Sequence, residues 1–256
     1  MRVNRVKQLL GEGRTVFGSG LGQFRTPEIP RLYAAAGLDW TFIDTEHGGF
    51  DLETVQDLIR MSLHTSLTPI VRVADLQYAL IARALDAGAE GIILPRVESP
   101  ELLERAISWT KFPQRGVRGY GLTIPMIGYQ NHTFAEIIQH MNDNVLVVLQ
   151  IETRTALERC DQLLAVPGVD IVMVGPADLS ISLDVAGQFD HPKMVEAITG
   201  VIECCRRHQV YPGIQTRALA MARFWKQRGM RFIGCGNDQS FLWEKVKETV
   251  EQLRAD

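Results

Sequence analysis

Two acidic residues stand at the ends of apolar runs that read as buried strands. One run is Val145-Leu146-Val147-Val148-Leu149-Gln150-Ile151-Glu152, and the other is Ile171-Val172-Met173-Val174-Gly175-Pro176-Ala177-Asp178. A carboxylate in such a place is costly unless something compensates its charge. A third run, Trp40-Thr41-Phe42-Ile43, leads into Asp44-Thr45-Glu46-His47. Acids on three strand ends, with a histidine beside one of them, suggest an oxygen-rich metal site next to a proton-transfer group. Glu152 and Asp178 fall on successive strands, which puts their carboxylates within bridging reach. Two carboxylates plus water suit a hard divalent ion such as Mg²⁺ or Mn²⁺. No cluster of His or Cys accompanies them, which weighs against zinc. Either acid alone reads equally well as a cap on the following helix; the pair reads as metal ligands.

Other residues extend this chemistry. Gln150 lies two positions before Glu152 and faces the same side of its strand. Arg72 interrupts the apolar segment Pro69-Ile70-Val71-Arg72-Val73, and a buried arginine needs an anionic partner. That partner is either Asp44 or Glu46 or, since the position is again a strand end, a substrate carboxylate or enolate oxygen. His47 precedes Gly48-Gly49 and follows Asp44 by three, the setting of an oriented general base. The turn Gly175-Pro176-Ala177-Asp178-Leu179-Ser180 offers backbone N–H groups to a small carboxylate at a helix start. It is not a nucleotide fingerprint. None of the six lysines lies in a strand run. An imine-forming aldolase wants one inside the barrel, so that mechanism is not expected.

These residues need a frame. Short apolar runs at 15–20, 40–44, 69–73, 91–95, 145–152, 170–175, 211–215 and 231–236 alternate with helical patterns such as 52–63, 76–87, 100–109, 153–165, 192–208 and 218–228. Strands alternating with helices imply parallel βαβ units. Eight of them without a linker predict a (β/α)8 TIM barrel, with strands apolar on both faces. In that fold the C-terminal strand ends build the active site, and Asp44, Arg72, Gln150, Glu152 and Asp178 all map there. The irregular stretch 111–130 contains Gly116, Gly119, Gly121 and Gly128. It is long for a βα connection, and such loops are often functional. After Asp238, the spacing of Phe241, Leu242, Val246, Val250 and Leu253 predicts a final amphipathic helix.

The bulk numbers bound the rest. A chain of 256 residues that is 46% hydrophobic suits a single barrel domain over 1–256. A net charge of -3 and a pI near 6.1 do not suggest a nucleic-acid or anionic-membrane partner. No apolar stretch approaches the roughly 20 residues of a membrane span. The first seven residues lack the apolar core of a signal peptide. Four cysteines without metal-knuckle spacing fit a reduced, cytoplasmic protein.

Six segments together resemble the HpcH/HpaI family of metal-dependent (class II) pyruvate aldolases. They are Asp39-Trp40-Thr41-Phe42-Ile43-Asp44-Thr45-Glu46-His47-Gly48, Pro69-Ile70-Val71-Arg72-Val73, Asp86-Ala87-Gly88-Ala89-Glu90-Gly91-Ile92-Ile93-Leu94-Pro95, Gly116-Val117-Arg118-Gly119, Gln150-Ile151-Glu152-Thr153 and Gly175-Pro176-Ala177-Asp178-Leu179-Ser180. The resemblance implies reversible cleavage of a 4-hydroxy-2-oxo acid to pyruvate and an aldehyde through a pyruvate enolate. Plausible substrates are 4-hydroxy-2-oxoheptanedioate or a 2-dehydro-3-deoxy-aldarate. It assigns Glu152 and Asp178 to a divalent metal: Mg²⁺ or Mn²⁺, with Co²⁺ as a further candidate. Gln150 and the backbone at Gly175 and Ala177 would hold the bound acid. Arg72 would face the enolate oxygen. His47, oriented by Asp44, would be the base, acting through a water. Asp86 would come from a neighbouring subunit. It also implies a homo-oligomer, trimer or hexamer, with the last helices swapped between subunits.

One residue departs from the pattern. Arg96, in Leu94-Pro95-Arg96-Val97-Glu98-Ser99, stands where many of these aldolases carry an apolar side chain, a variant shared with citrate-lyase-like relatives. It keeps two other enzymes in view: a C–C lyase on a CoA thioester and an oxaloacetate decarboxylase, both passing through the same enolate. A CoA substrate needs a basic groove, for which Arg115 and Arg118 are the nearby candidates. A non-catalytic carboxylate-binding protein would need neither His47 nor the acid pair.

Overall fold

The computed structural model describes residues 1–121 and 124–255. Its eight parallel strands are β1 (Val16–Leu21), β2 (Trp40–Asp44), β3 (Thr68–Arg72), β4 (Gly91–Leu94), β5 (Leu146–Ile151), β6 (Ile171–Val174), β7 (Tyr211–Thr216) and β8 (Phe232–Asn237). Each pairs with the next in chain order and β8 returns to β1, closing the barrel. The expected (β/α)8 architecture is the observed one, and every strand boundary falls within one residue of its expected place.

The floor of the barrel is apolar and densely filled. Trp40, Phe42, Ile70, Ile93, Leu146, Val148, Ile171, Met173 and Phe232 form one buried cluster with Val6, Leu9 and Leu10 of the N-terminal helix Arg5–Gly11. Trp40 stacks on Phe232 with ring centroids 3.8 Å apart. The neighbouring strands make room by carrying no side chain at that level. A methyl group at Gly18 would overlap the Trp40 ring, and one at Gly234 would meet the same ring at 2.8 Å. Small-against-large complementarity of this kind fills a tapered barrel. Above this plug, Asp44 and Arg72 end β2 and β3 at the C-terminal mouth.

The helices differ from expectation in two places, and one of them changes the reading of a neighbouring stretch. The segment 153–165 splits into Arg154–Glu158 and Cys160–Leu164, because Arg159 leaves helical geometry. The helix Phe134–Asn144 was not anticipated. It is opened by a capping box in which Thr133 and Glu136 satisfy each other's backbone N–H groups. That helix changes the reading of 111–130. The stretch follows the helix Pro100–Ser108, not a strand, so it is a helix-to-helix excursion at the N-terminal side of the barrel. Residues 122 and 123 of this stretch lie outside the described residues. Lys111, at its start, is buried and donates to the Asn142 carbonyl at 2.6 Å. Among the described residues no helix is long and apolar enough to cross a membrane.

Candidate active site

Asp44 and Arg72 end adjacent strands and are paired in register. Arg72 donates to both Asp44 oxygens, Nε at 3.0 Å and Nη2 at 2.6 Å, and its guanidinium lies 5.4 Å from the Phe42 ring centre. The same carboxylate accepts the backbone N–H groups of Glu46 at 3.1 Å and His47 at 3.2 Å. One side chain thus fixes both the arginine and the loop after β2. Glu46 folds back into the mouth, its side chain only 7% exposed, with Oε2 3.2 Å from Arg72 Nη1 and Oε1 3.0 Å from Arg96 Nε. Burial works against the Arg72 cation. The hydrogen bond and charge of Asp44, with Glu46 and Glu152 behind it, outweigh burial and hold its pKa above the ordinary value.

Glu152 follows β5 and is 4% exposed. It accepts from the Gln150 side-chain amide and, at 3.0 Å, from the backbone N–H of Arg96. Arg96 reaches that position through a left-handed backbone, φ 57°. Burial raises the Glu152 pKa above the ordinary carboxylate range; its two donors pull it down, and the charges of Glu46 and Asp178 push it up again. Asp178 lies in the first turn of the helix Pro176–Ser182, just beyond β6. Between the two acids runs Gly175. A methyl group there would stand 3.1 Å from Glu152 Oε2 and 3.2 Å from Gln150 Nε2, so the glycine keeps a hollow open beside the carboxylate.

This mouth fits a cation. Four carboxylates (Asp44, Glu46, Glu152 and Asp178) face two guanidiniums (Arg72 and Arg96). Side-chain acids outnumber the guanidiniums there, a surplus of negative charge that a dication would balance. Buried acceptor atoms Glu46 Oε2, Gln150 Oε1 and Gln215 Oε1 receive no hydrogen bond. Oxygen-only donors of this kind match a hard divalent ion. One tighter group of donor side chains exists elsewhere among the described residues: Asp161, Cys204 and His208, within 4.8 Å of one another on the outer helices. There Asp161 already holds Arg207 at 2.7 and 2.8 Å and His208 at 3.0 Å, an ion-pair cluster complete in itself.

The expected residues divide as follows. Asp44, Arg72, Gln150, Glu152, Gly175 and Asp178 converge at the mouth, and Ala177 lies beside them in the first helical turn. His47 is at the rim, its side chain 57% exposed; its ring Nε2 is 3.9 Å from Glu46 Oε2, while Asp44 touches only its backbone. Asp86 does not join this chain's site. It ends the helix Tyr78–Asp86, at the opposite end of the barrel, and pairs with Arg118 at 2.6 Å. Glu46 pairs with Arg72, as one of the two expected partners, and also with Arg96, which was not foreseen. Asp238 was also missed as a positioning residue. Its buried carboxylate accepts the N–H groups of Gly22, Gln23 and Phe24 at 2.7–3.3 Å and pins the loop after β1.

The two arginines proposed for a diphosphate groove are engaged: Arg115 pairs with Asp143, and Arg118 with Asp86. The depressed-pKa lysine, Lys111, brought by burial to about 8, sits near Lys7 and Asp170 at the closed end of the barrel. It cannot serve the mouth.

Fold and site define a (β/α)8-barrel enzyme whose C-terminal face carries the functional groups. The chain belongs to the HpcH/HpaI aldolase/citrate lyase family, which it matches over residues 23–244. It is 32% identical to a hydroxypyruvate/pyruvate aldolase of Pseudomonas aeruginosa, over 98% of this chain and 93% of that one. It is also 32% identical to a 4-hydroxy-2-oxo-heptane-1,7-dioate aldolase of Escherichia coli, over 93% and 90%. A crystal structure of an HpcH/HpaI aldolase from Desulfitobacterium hafniense DCB-2 superposes with a TM-score of 0.93 at 32% identity, over 97% of this chain and 96% of that chain.

Proposed function

We propose that this chain, a single barrel domain over 1–256, is a divalent-metal-dependent aldolase that reversibly cleaves a 4-hydroxy-2-oxo acid to pyruvate and an aldehyde. One observation carries the reading. A surplus of carboxylate charge around Glu152 and Asp178 shares its mouth with a cation, Arg72, that is locked in place by Asp44.

Cleavage breaks the C3–C4 bond of the oxo acid. The C4 hydroxyl loses its proton, C4 becomes the aldehyde carbon, and the bonding pair moves toward the C2 oxygen as an enolate. Arg72 donates to that oxygen where charge develops, and its fork is already aimed by Asp44, so little reorganisation is needed. His47 at the rim takes the C4 hydroxyl proton through a water; a placed base is worth roughly 10²–10⁴ in rate. The Gln150 side chain and the backbone at Gly175 and Ala177 hold the carboxylate end of the oxo acid. Glu152 and Asp178 would hold the Mg²⁺, Mn²⁺ or Co²⁺ ion, which when bound supplies Lewis-acid polarisation of the oxo acid.

The same reading includes a cytoplasmic homo-oligomer, trimer or hexamer. Leu242, Trp243, Val246, Val250 and Leu253 form an exposed apolar stripe along the helix Asp238–Ala255. A stripe of this length on a terminal helix is typical of a surface that another subunit covers, and a swapped helix, with Asp86 serving a neighbour's site, accords with it. The two residues named for a CoA-thioester groove are paired within the chain, Arg115 with Asp143 and Arg118 with Asp86, which favours the aldolase reading.

The test is pyruvate release from 4-hydroxy-2-oxoheptanedioate after chelation and after re-addition of Mg²⁺ or Mn²⁺. Metal-restored release that is lost in Glu152→Gln and Asp178→Asn is expected. Release that persists in both variants would remove the assignment.

A further inference from the structure

We propose that Arg96 is the recognition residue for the aldehyde half of the substrate. Its guanidinium takes a carboxylate on the tail of that aldehyde, so the chain prefers oxo acids with a second, distal carboxylate. The inference rests on the aldolase reading above and goes beyond it in assigning a residue of this chain to the choice between charged and neutral aldehydes.

The backbone of Arg96 alone does not explain its side chain. The left-handed conformation, φ 57°, serves to aim the Arg96 N–H at Glu152 Oε1, 3.0 Å away. Any residue could supply that N–H, and glycine would do so with the least strain. An arginine kept in a strained position therefore invites a use for the guanidinium itself.

The guanidinium is tethered but not consumed. Nε donates to Glu46 Oε1 at 3.0 Å, and among the described residues neither Nη nitrogen has a hydrogen-bond partner. The side chain is 66% exposed, while Glu46 beneath it is nearly buried. The outer edge of the fork thus opens onto the mouth, held by its inner nitrogen. That is the geometry in which a guanidinium binds a carboxylate at two points, with part of its side-chain entropy already lost.

The surrounding charges point the same way. Arg72 is held by Asp44 and Glu46, and the aldolase reading gives its remaining N–H groups to the enolate oxygen. If a dication balances Glu152 and Asp178, Arg96 is the one cation at the mouth whose terminal nitrogens remain free among the described residues. In the synthetic direction C3 of the pyruvate enolate adds to the aldehyde carbon, and the aldehyde oxygen takes a proton. The tail of the aldehyde is untouched and must point out of the barrel, since the floor below is filled by Trp40 and Phe232. Arg96 stands on that exit.

The experiment compares two aldehydes of equal chain length, 4-oxobutanoate and butanal, as acceptors for pyruvate. Wild type, Arg96→Gln and Arg96→Lys are assayed with Mg²⁺. The kcat/KM ratio of charged to neutral acceptor is expected to fall roughly 10- to 100-fold in Arg96→Gln. It is expected to recover in part in Arg96→Lys, which keeps the charge but not the fork. An unchanged ratio in Arg96→Gln would overturn the proposal while leaving the aldolase reading intact. So would an equal loss for both acceptors with a raised pyruvate KM, which would place Arg96 on the pyruvate carboxylate. Wild type that condenses neither aldehyde and catalyses no metal-dependent exchange at the pyruvate methyl would instead remove the aldolase reading, and this proposal with it.

Discussion

Asp44 and Arg72 are register partners on β2 and β3, and their side chains close a two-point ion pair at 3.0 and 2.6 Å. The carboxylate is therefore committed to the arginine and to two backbone N–H groups, and it orients His47 through the main chain only. In Asp44→Ala, Arg72 keeps Glu46 as its single anionic contact. Removing one partner of a buried pair costs up to about 3–5 kcal/mol, and the remaining Glu46 contact offsets part of that. Urea unfolding should show a loss in that direction, together with a fall in kcat at little change in pyruvate affinity. Wild-type stability and kcat in Asp44→Ala would contradict the anchoring role.

Glu152 links function to pH. Its folded-state pKa is raised, chiefly by burial, so the folded, metal-free protein binds this proton more tightly than the unfolded chain. Stability from this group is greatest below the unfolded value, about 4.3, and is lost as pH rises through the raised folded value. Glu152→Gln removes the charge. Without metal, the variant should gain stability relative to wild type as pH rises above the unfolded value and through the raised folded value, and it should lose divalent-ion affinity. Thermal melts of both proteins across that range, in chelator, check the sign; a gap that is flat or shrinks with pH would refute it.

Much of this site was legible because charges interrupt apolar strands. Glu152, Arg72 and Asp44 each end a run whose other members are buried, and period-2 alternation placed Gln150 with Glu152. The same signal has another meaning at Asp238, where backbone N–H groups of residues 22–24 satisfy the acid and no cation is needed. Contacts between loops were not legible. Glu46 meets Arg96 only because β2 and β4 end at the same level and Arg96 turns left-handed, and neither fact is written locally. The stretch 111–130 was misplaced because the helix Phe134–Asn144 was overlooked, although Thr133 and Glu136 spell its start.

The plugged floor makes a prediction about folding alone. Gly18→Ala drives a methyl group into the Trp40 ring, which is stacked on Phe232 and has nowhere to move. Overpacking of this type costs about 1–3 kcal/mol or more. Chemical denaturation should register that loss, with the site residues unaltered. A Gly18→Ala variant as stable as wild type would show that the barrel floor is looser than described.

The exposed stripe on the last helix bears on assembly. Leu242→Glu combined with Val246→Glu places charge on a face that is half-exposed in the single chain. If a partner subunit covers it, sedimentation velocity should show a smaller species than wild type, with helix content retained by circular dichroism. An unaltered sedimentation coefficient would assign the stripe no part in assembly.

The most direct test of the central claim needs no aldehyde at all. Pyruvate is incubated with the protein in D₂O, with and without Mg²⁺ or Mn²⁺, and its methyl group is followed by proton NMR. Deuterium exchange that requires the metal, stops with EDTA and is lost in Glu152→Gln is the result this account predicts. No exchange with any divalent ion would contradict enolate formation at the Glu152–Asp178 mouth.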